Sequence, residues 1–141
     1  MPSNKNSYFS SSFYPRNMIL NDLCLYTLIG IIAVTILTSL GAVASRKLSF
    51  SYVYLTPLSL VIFFTVGYMV SEDYSMTTAI FSAALVGLYD AAVGWHLFTL
   101  FGANLLFSRE ELEEVSINER IAGIMIIAAS LGGLGSAIEN V

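Results

Sequence analysis

Four apolar blocks, each about twenty residues long, constrain this chain more than any other feature, because that is the length a helix needs to cross a hydrocarbon layer roughly 30 Å thick. They run over 23–44 ("LCLYTLIGIIAVTILTSLGAVA"), 50–70, 77–103 and 121–138. With 56% hydrophobic and 11% charged residues, the 141-residue chain lies well outside the usual soluble balance. A dense soluble core could produce the mean hydropathy of +0.75, but not its partition into membrane-length blocks. The expected fold is an all-α integral membrane protein: a four-transmembrane-helix bundle with short loops and a short amphipathic helix between spans three and four.

Two regions follow from this partition. Residues 1–21, "MPSNKNSYFSSSFYPRNMILN", are polar and Ser-rich with Tyr8, Phe9, Phe13 and Tyr14 interspersed, and read as an interfacial or disordered tail. Residues 22–141 form the membrane domain, with Asp22 as a cap on the first helix. "AVA" before Ser45 has the look of a signal-peptidase site, but the apolar stretch preceding it is too long for the core of a signal peptide, so it is read as a retained span.

The second span contains Pro57. A helix beginning there would reach only about 21 Å before Glu72 and Asp73, so it is expected to start earlier and bend at the proline, a hinge. The third span is long, roughly 40 Å if fully helical, with Asp90 at its centre. Two Ser-x-x-Glu cap signals follow, Ser108 with Glu111 and Ser116 with Glu119; the first opens the short surface helix and the second opens the last span. In that last span Ala128 and Gly132, Ala129 and Gly133, and Gly132 and Ser136 are each four apart, the small-residue spacing that lets two helix backbones approach closely.

Charge restricts partners and topology. The net charge of −4 comes mainly from "SREELEEVSINER", and no basic patch offers a surface to nucleic acid. Arg46, Lys47, Arg109 and Arg120 fall in the loops 45–49 and 104–120, against Arg16 and the more distant Lys5 on the other side. The positive-inside rule then places those two loops in the cytoplasm and both termini on the opposite side. The glutamates at 110, 111, 113 and 114 lack the alternation and turn glycine of a calcium loop and read as a solvated face.

The candidate chemistry centres on Asp90. Helical spacing puts Ala83, Gly87, Asp90, Gly94, Leu97 and Phe101 on one stripe, with small residues on both sides of the acid. An ionised carboxylate facing lipid at this depth costs at least several kcal/mol, so Asp90 is expected to face protein or a water-filled cavity. No Lys or Arg falls inside the four spans as drawn, which leaves the hydroxyls of Thr35, Thr38, Ser39, Ser59, Thr65 and Ser130 as partners at comparable depth. Two roles remain open: a polar clasp between helices, and an ion- or proton-coupling residue. His96, six residues on and about 240° around the helix, is an interfacial anchor or a proton relay, not a dyad partner of Asp90 within one helix.

Catalysis finds no support: there is no Ser-His-Asp arrangement in credible context, no phosphate-cradling loop and no paired intramembrane carboxylates. One histidine and the lone Cys24 make neither a metal site nor a disulfide, and nothing calls for a cofactor. Two functions are weighed from the sequence, the first preferred because a four-helix monomer has too little interior to enclose both a site and alternating gates. One is a non-catalytic scaffold or accessory subunit, packing through small-residue faces into a homo-oligomer or larger membrane complex. The other is an oligomeric small transporter or channel with Asp90 as the midplane coupling residue.

Overall fold

The computed structural model describes residues 16–103 and 116–139. Five α-helices make up almost all of it: α1 (Arg16–Leu48), α2 (Thr56–Asp73), α3 (Met76–Tyr89), α4 (Trp95–Leu100) and α5 (Ile117–Glu139). A 3₁₀ turn, Tyr52–Leu55, leads into α2, and a π-helical turn, Asp90–Gly94, joins α3 to α4. Four helical segments are long and apolar enough to cross a membrane: Leu23–Leu48, Tyr52–Asp73, Met76–Leu100 and Ile117–Ile138.

The α2–α3 hairpin is the centre of the bundle. Its link is tight: Tyr74 leaves α2 in an extended conformation, and the Ser75 hydroxyl accepts from the Thr78 backbone N–H to start α3. Among the described residues α5 packs along both hairpin helices on one side, and α1 packs on the other without touching α5. The shared core consists of Val34 from α1, Phe63, Val66 and Val70 from α2, Ala79 and Val86 from α3, and Ala128 from α5. Outward-facing positions carry large apolar side chains, among them Leu25, Ile29, Ile32, Ile36 and Leu40 on α1.

Small residues set how closely the helices approach. A Cβ on Gly67 of α2 would collide with the backbone of Gly132 on α5, and one on Gly132 would strike Ala83 of α3. One on Gly87 would meet Ala128, one on Gly133 would touch Ile80 at 3.4 Å, and Ser136 is fully buried. The small-xxx-small face of the last span is therefore filled by its own chain. Gly30 and Gly41 do the same for α1, against Val66 and Val86 and against Leu55 and Tyr52 respectively.

Several boundaries differ from those expected. The first helix begins at Arg16, so residues 16–21 belong to a helix rather than a tail, and Asp22 lies inside it rather than capping it. Pro57 is not an interior hinge: it occupies the first turn of α2, where its missing N–H leaves no bond broken, and the preceding 3₁₀ turn supplies the extra length the span needs. The last helix starts at Ile117, four residues early, because Ser116 and Glu119 close the capping box: the Glu119 carboxylate accepts from the Ser116 N–H at 3.1 Å, and the Ser116 hydroxyl accepts from the Glu119 N–H at 3.2 Å. The short amphipathic helix, the Ser108 cap and the glutamate cluster lie outside the described residues, as do positions 1–15.

Candidate functional site: the Asp90 cavity

Asp90 opens the irregular turn of the third span. Its carbonyl accepts the backbone N–H of Trp95, five residues on, so one extra residue is held in the turn. Each residue of an α-helix advances about 100°, so this insertion rotates everything beyond it relative to an uninterrupted helix. The stripe expected through Leu97 and Phe101 is accordingly replaced: Ala91, Gly94 and Phe98 are the buried positions. The π turn also lies where α1 and α5 both reach the hairpin, so it is contacted from each side of the bundle.

The carboxylate sits over Gly94. A Cβ at that position would overlap Asp90 Oδ1 and stand 3.7 Å from Thr38 Oγ1, so the missing side chain is the space the acid occupies. Thr38 of α1 is 2% exposed, and its hydroxyl lies beside the carboxylate over Gly94 while closing no hydrogen bond of standard geometry among the described residues. One turn away, Thr35 donates to its own helix at the Ile31 carbonyl, 2.7 Å, and shares a 3.0 Å hydrogen bond with the Tyr89 hydroxyl. Of the six hydroxyls considered from sequence, Thr38 lies beside the acid over Gly94 and Ser59 lines the same cavity. Thr65 and Ser130 instead bond carbonyls of their own helices, at Val61 and Ile126.

On its other side Asp90 faces a cavity of about 430 Å³. The wall from α2 and its leading turn holds Tyr52, Thr56, Ser59, Leu60 and Phe63; the third span adds Asp90, Ala91, Gly94, Trp95 and Phe98; α5 adds Arg120, Ile124 and Ile127. Phe98 joins two other rings: Tyr52 meets it edge to face, centroids 4.9 Å apart, and Trp95 stacks on it at 5.3 Å. The Arg120 guanidinium lies over the Trp95 ring, 3.8 Å from its centroid, a cation–π contact. The lining is thus apolar and aromatic, with a carboxylate on one wall and a guanidinium on another.

No family model, curated protein or solved structure matches the chain. Whatever the site does must be argued from its own residues.

The structure brings together some of the expected site residues and separates others. Asp90 and Gly94 share the cavity, whereas Gly87, Ala128, Gly132, Gly133 and Ser136 serve helix contacts away from it. Ala129 is half-buried on α5. His96 is exposed and does not line the cavity; its backbone carbonyl accepts the Thr99 hydroxyl at 2.9 Å. Among the described residues no group of three or more His, Cys, Asp or Glu side chains could hold a metal.

Sequence reasoning missed the aromatic wall and Arg120. Trp95 and Phe98 are three apart and so share a helix face, which was a readable signal. Arg120 was assigned to a loop because the last helix was started four residues late; the Ser116 capping box, followed strictly, places it one turn inside.

Proposed function

We propose that this protein crosses a membrane four times and works through the Asp90 cavity, as a small transporter or channel with Asp90 as its coupling residue. The observation that carries this is the carboxylate itself, half-buried in a membrane-length helix and open to a cavity of about 430 Å³ rather than sealed in a helix contact. Intramembrane acids facing a cavity commonly mark ion or substrate pathways. A π turn at the acid adds to this, because such turns recur at functional sites. The small residues that pointed toward oligomer contacts are occupied within one chain, which weakens the argument for packing other subunits through them.

The test is flux. Asp90→Asn keeps the shape and hydrogen-bonding capacity of the side chain but removes its titration and charge. In proteoliposomes driven by a proton or sodium gradient, coupled flux through the Asn variant is expected to fall to background, and retention of wild-type flux would remove the coupling role.

A second reading, a scaffold or accessory subunit, draws on one observation. Leu25, Ile29, Ile32, Ile36 and Leu40 make an exposed apolar stripe on α1, the helix that α5 does not touch. A partner helix could dock there in place of lipid. Purification in mild detergent separates the readings: a stoichiometric heteromeric complex favours the accessory role, and the chain alone favours the transporter.

A further inference from the structure

We infer that the occupant of the Asp90 cavity is a small organic cation, an ammonium with an aromatic or branched apolar body. This rests on the proposal that the Asp90 cavity is the working site. Three features select that chemistry together. A carboxylate stands on a wall that is otherwise largely apolar, with the Arg120 guanidinium of the same lining held on the Trp95 face, so the carboxylate is the lining group that attracts a cation. Beside it the Tyr52, Phe98 and Trp95 rings form one contiguous aromatic surface, the arrangement that recognises quaternary and alkylated ammonium groups. The Arg120 guanidinium already rests on the Trp95 face at 3.8 Å, so the ammonium is assigned to the Tyr52 and Phe98 side of that surface.

The alternatives fit less well. A bare metal ion needs several hard oxygen or nitrogen ligands to replace its water, and the described residues offer no group of three His, Cys, Asp or Glu side chains. An anion would have Arg120 as its charge partner but would meet both the Asp90 carboxylate and the negative faces of the aromatic rings, whereas a cation meets Arg120 alone as a like charge. A volume of about 430 Å³ falls within the range of small-molecule sites. The ammonium is placed between Asp90 and the rings, with its apolar body against Leu60, Phe63 and Ile127.

Trp95 is the only tryptophan of the chain, so its fluorescence reports on this cavity directly. The full-length protein in detergent is titrated at pH 8 with benzyltrimethylammonium, with its neutral isostere 2,2-dimethylpropylbenzene, and with benzenesulfonate. A saturable change is expected with the ammonium, at an affinity about tenfold or more above that of the isostere. Asp90→Asn is expected to weaken ammonium binding by about tenfold, and Tyr52→Leu by several-fold; the ligand comparison on the unaltered protein decides the matter even where a variant does not fold. Equal binding of cation and isostere overturns the inference, as does preference for the sulfonate or the absence of saturable binding by the ammonium. The flux assay fails separately: ammonium binding without coupled flux keeps this inference and removes transport, and coupled proton or sodium flux without ammonium binding does the reverse.

Discussion

Gly94 shows how much can depend on one absent methyl group. The sequence marks it as a small residue beside an acid, which suggests a neighbouring helix pressing close. In the structure the space above its Cα holds the Asp90 carboxylate, with Thr38 next to it. A methyl group at 94 would meet a side-chain oxygen that can rotate away, not backbone, so it should displace the acid while sparing the fold. Gly94→Ala is therefore expected to lower coupled flux by about tenfold while changing unfolding free energy by no more than about 1 kcal/mol, measured by proteoliposome assay and thermal melting in detergent. Wild-type flux in this variant would mean that the position of the carboxylate over residue 94 does not matter. Asp90 as the residue to watch was legible because any acid in a twenty-residue apolar run stands out. Its neighbour was not: six hydroxyls at similar depth look alike in sequence, and only the rotation of α1 against the hairpin brings Thr38 beside it.

Helix pairs differ in what their small residues do. Gly67 and Gly132 bring α2 and α5 into backbone contact, whereas among the described residues nothing lies within 4 Å of a Cβ built on Gly123. Overpacking at a rigid backbone contact costs about 1–3 kcal/mol, and the intrinsic helix preference of alanine over glycine offsets at most about 1 kcal/mol. Gly67→Ala should therefore destabilise the bundle, lowering the midpoint of helix loss in a circular dichroism melt, and Gly123→Ala should leave it unchanged or raise it. Equal midpoints would show that α2 and α5 do not meet at Gly67. The sequence exposed the small-residue face of α5 through its spacing of four, and also the span lengths, because both are local repeats. It did not expose the π turn, since DAAVG carries no breaker stronger than a terminal glycine and the contacts the turn makes with α1 and α5 are distant in sequence. That single insertion moved Phe98 inward in place of Leu97.

At the scale of the molecule, the α2–α3 hairpin separates α1 from α5, and the cavity forms where the hairpin, its leading 3₁₀ turn and α5 fail to close on one another. The bundle places residue 48 at the end of α1 and residue 76 at the opposite end of the α2–α3 hairpin, and both are exposed. The positive-inside rule predicts Arg46 and Lys47 on the cytoplasmic side, so an impermeant thiol reagent is expected to label Leu48→Cys only from the cytoplasmic face and Met76→Cys only from the other, each in a Cys24→Ser background. Labelling in the reverse sense would invert the topology. The sequence by itself determined the helical class, the number of membrane-length helices and the presence of an acid within one of them, because length, hydropathy and charge are carried by contiguous residues. Tertiary structure alone decided which small residues meet their own chain, that Pro57 opens a helix instead of bending one, and that Asp90 is joined in one cavity by Tyr52, Trp95, Phe98 and Arg120. Those outcomes depend on rotations of about 100° and shifts of a few residues between packed helices, quantities set by side-chain fit across the bundle, which local signals such as the Ser116 capping box and the Trp95–Phe98 spacing do not fix.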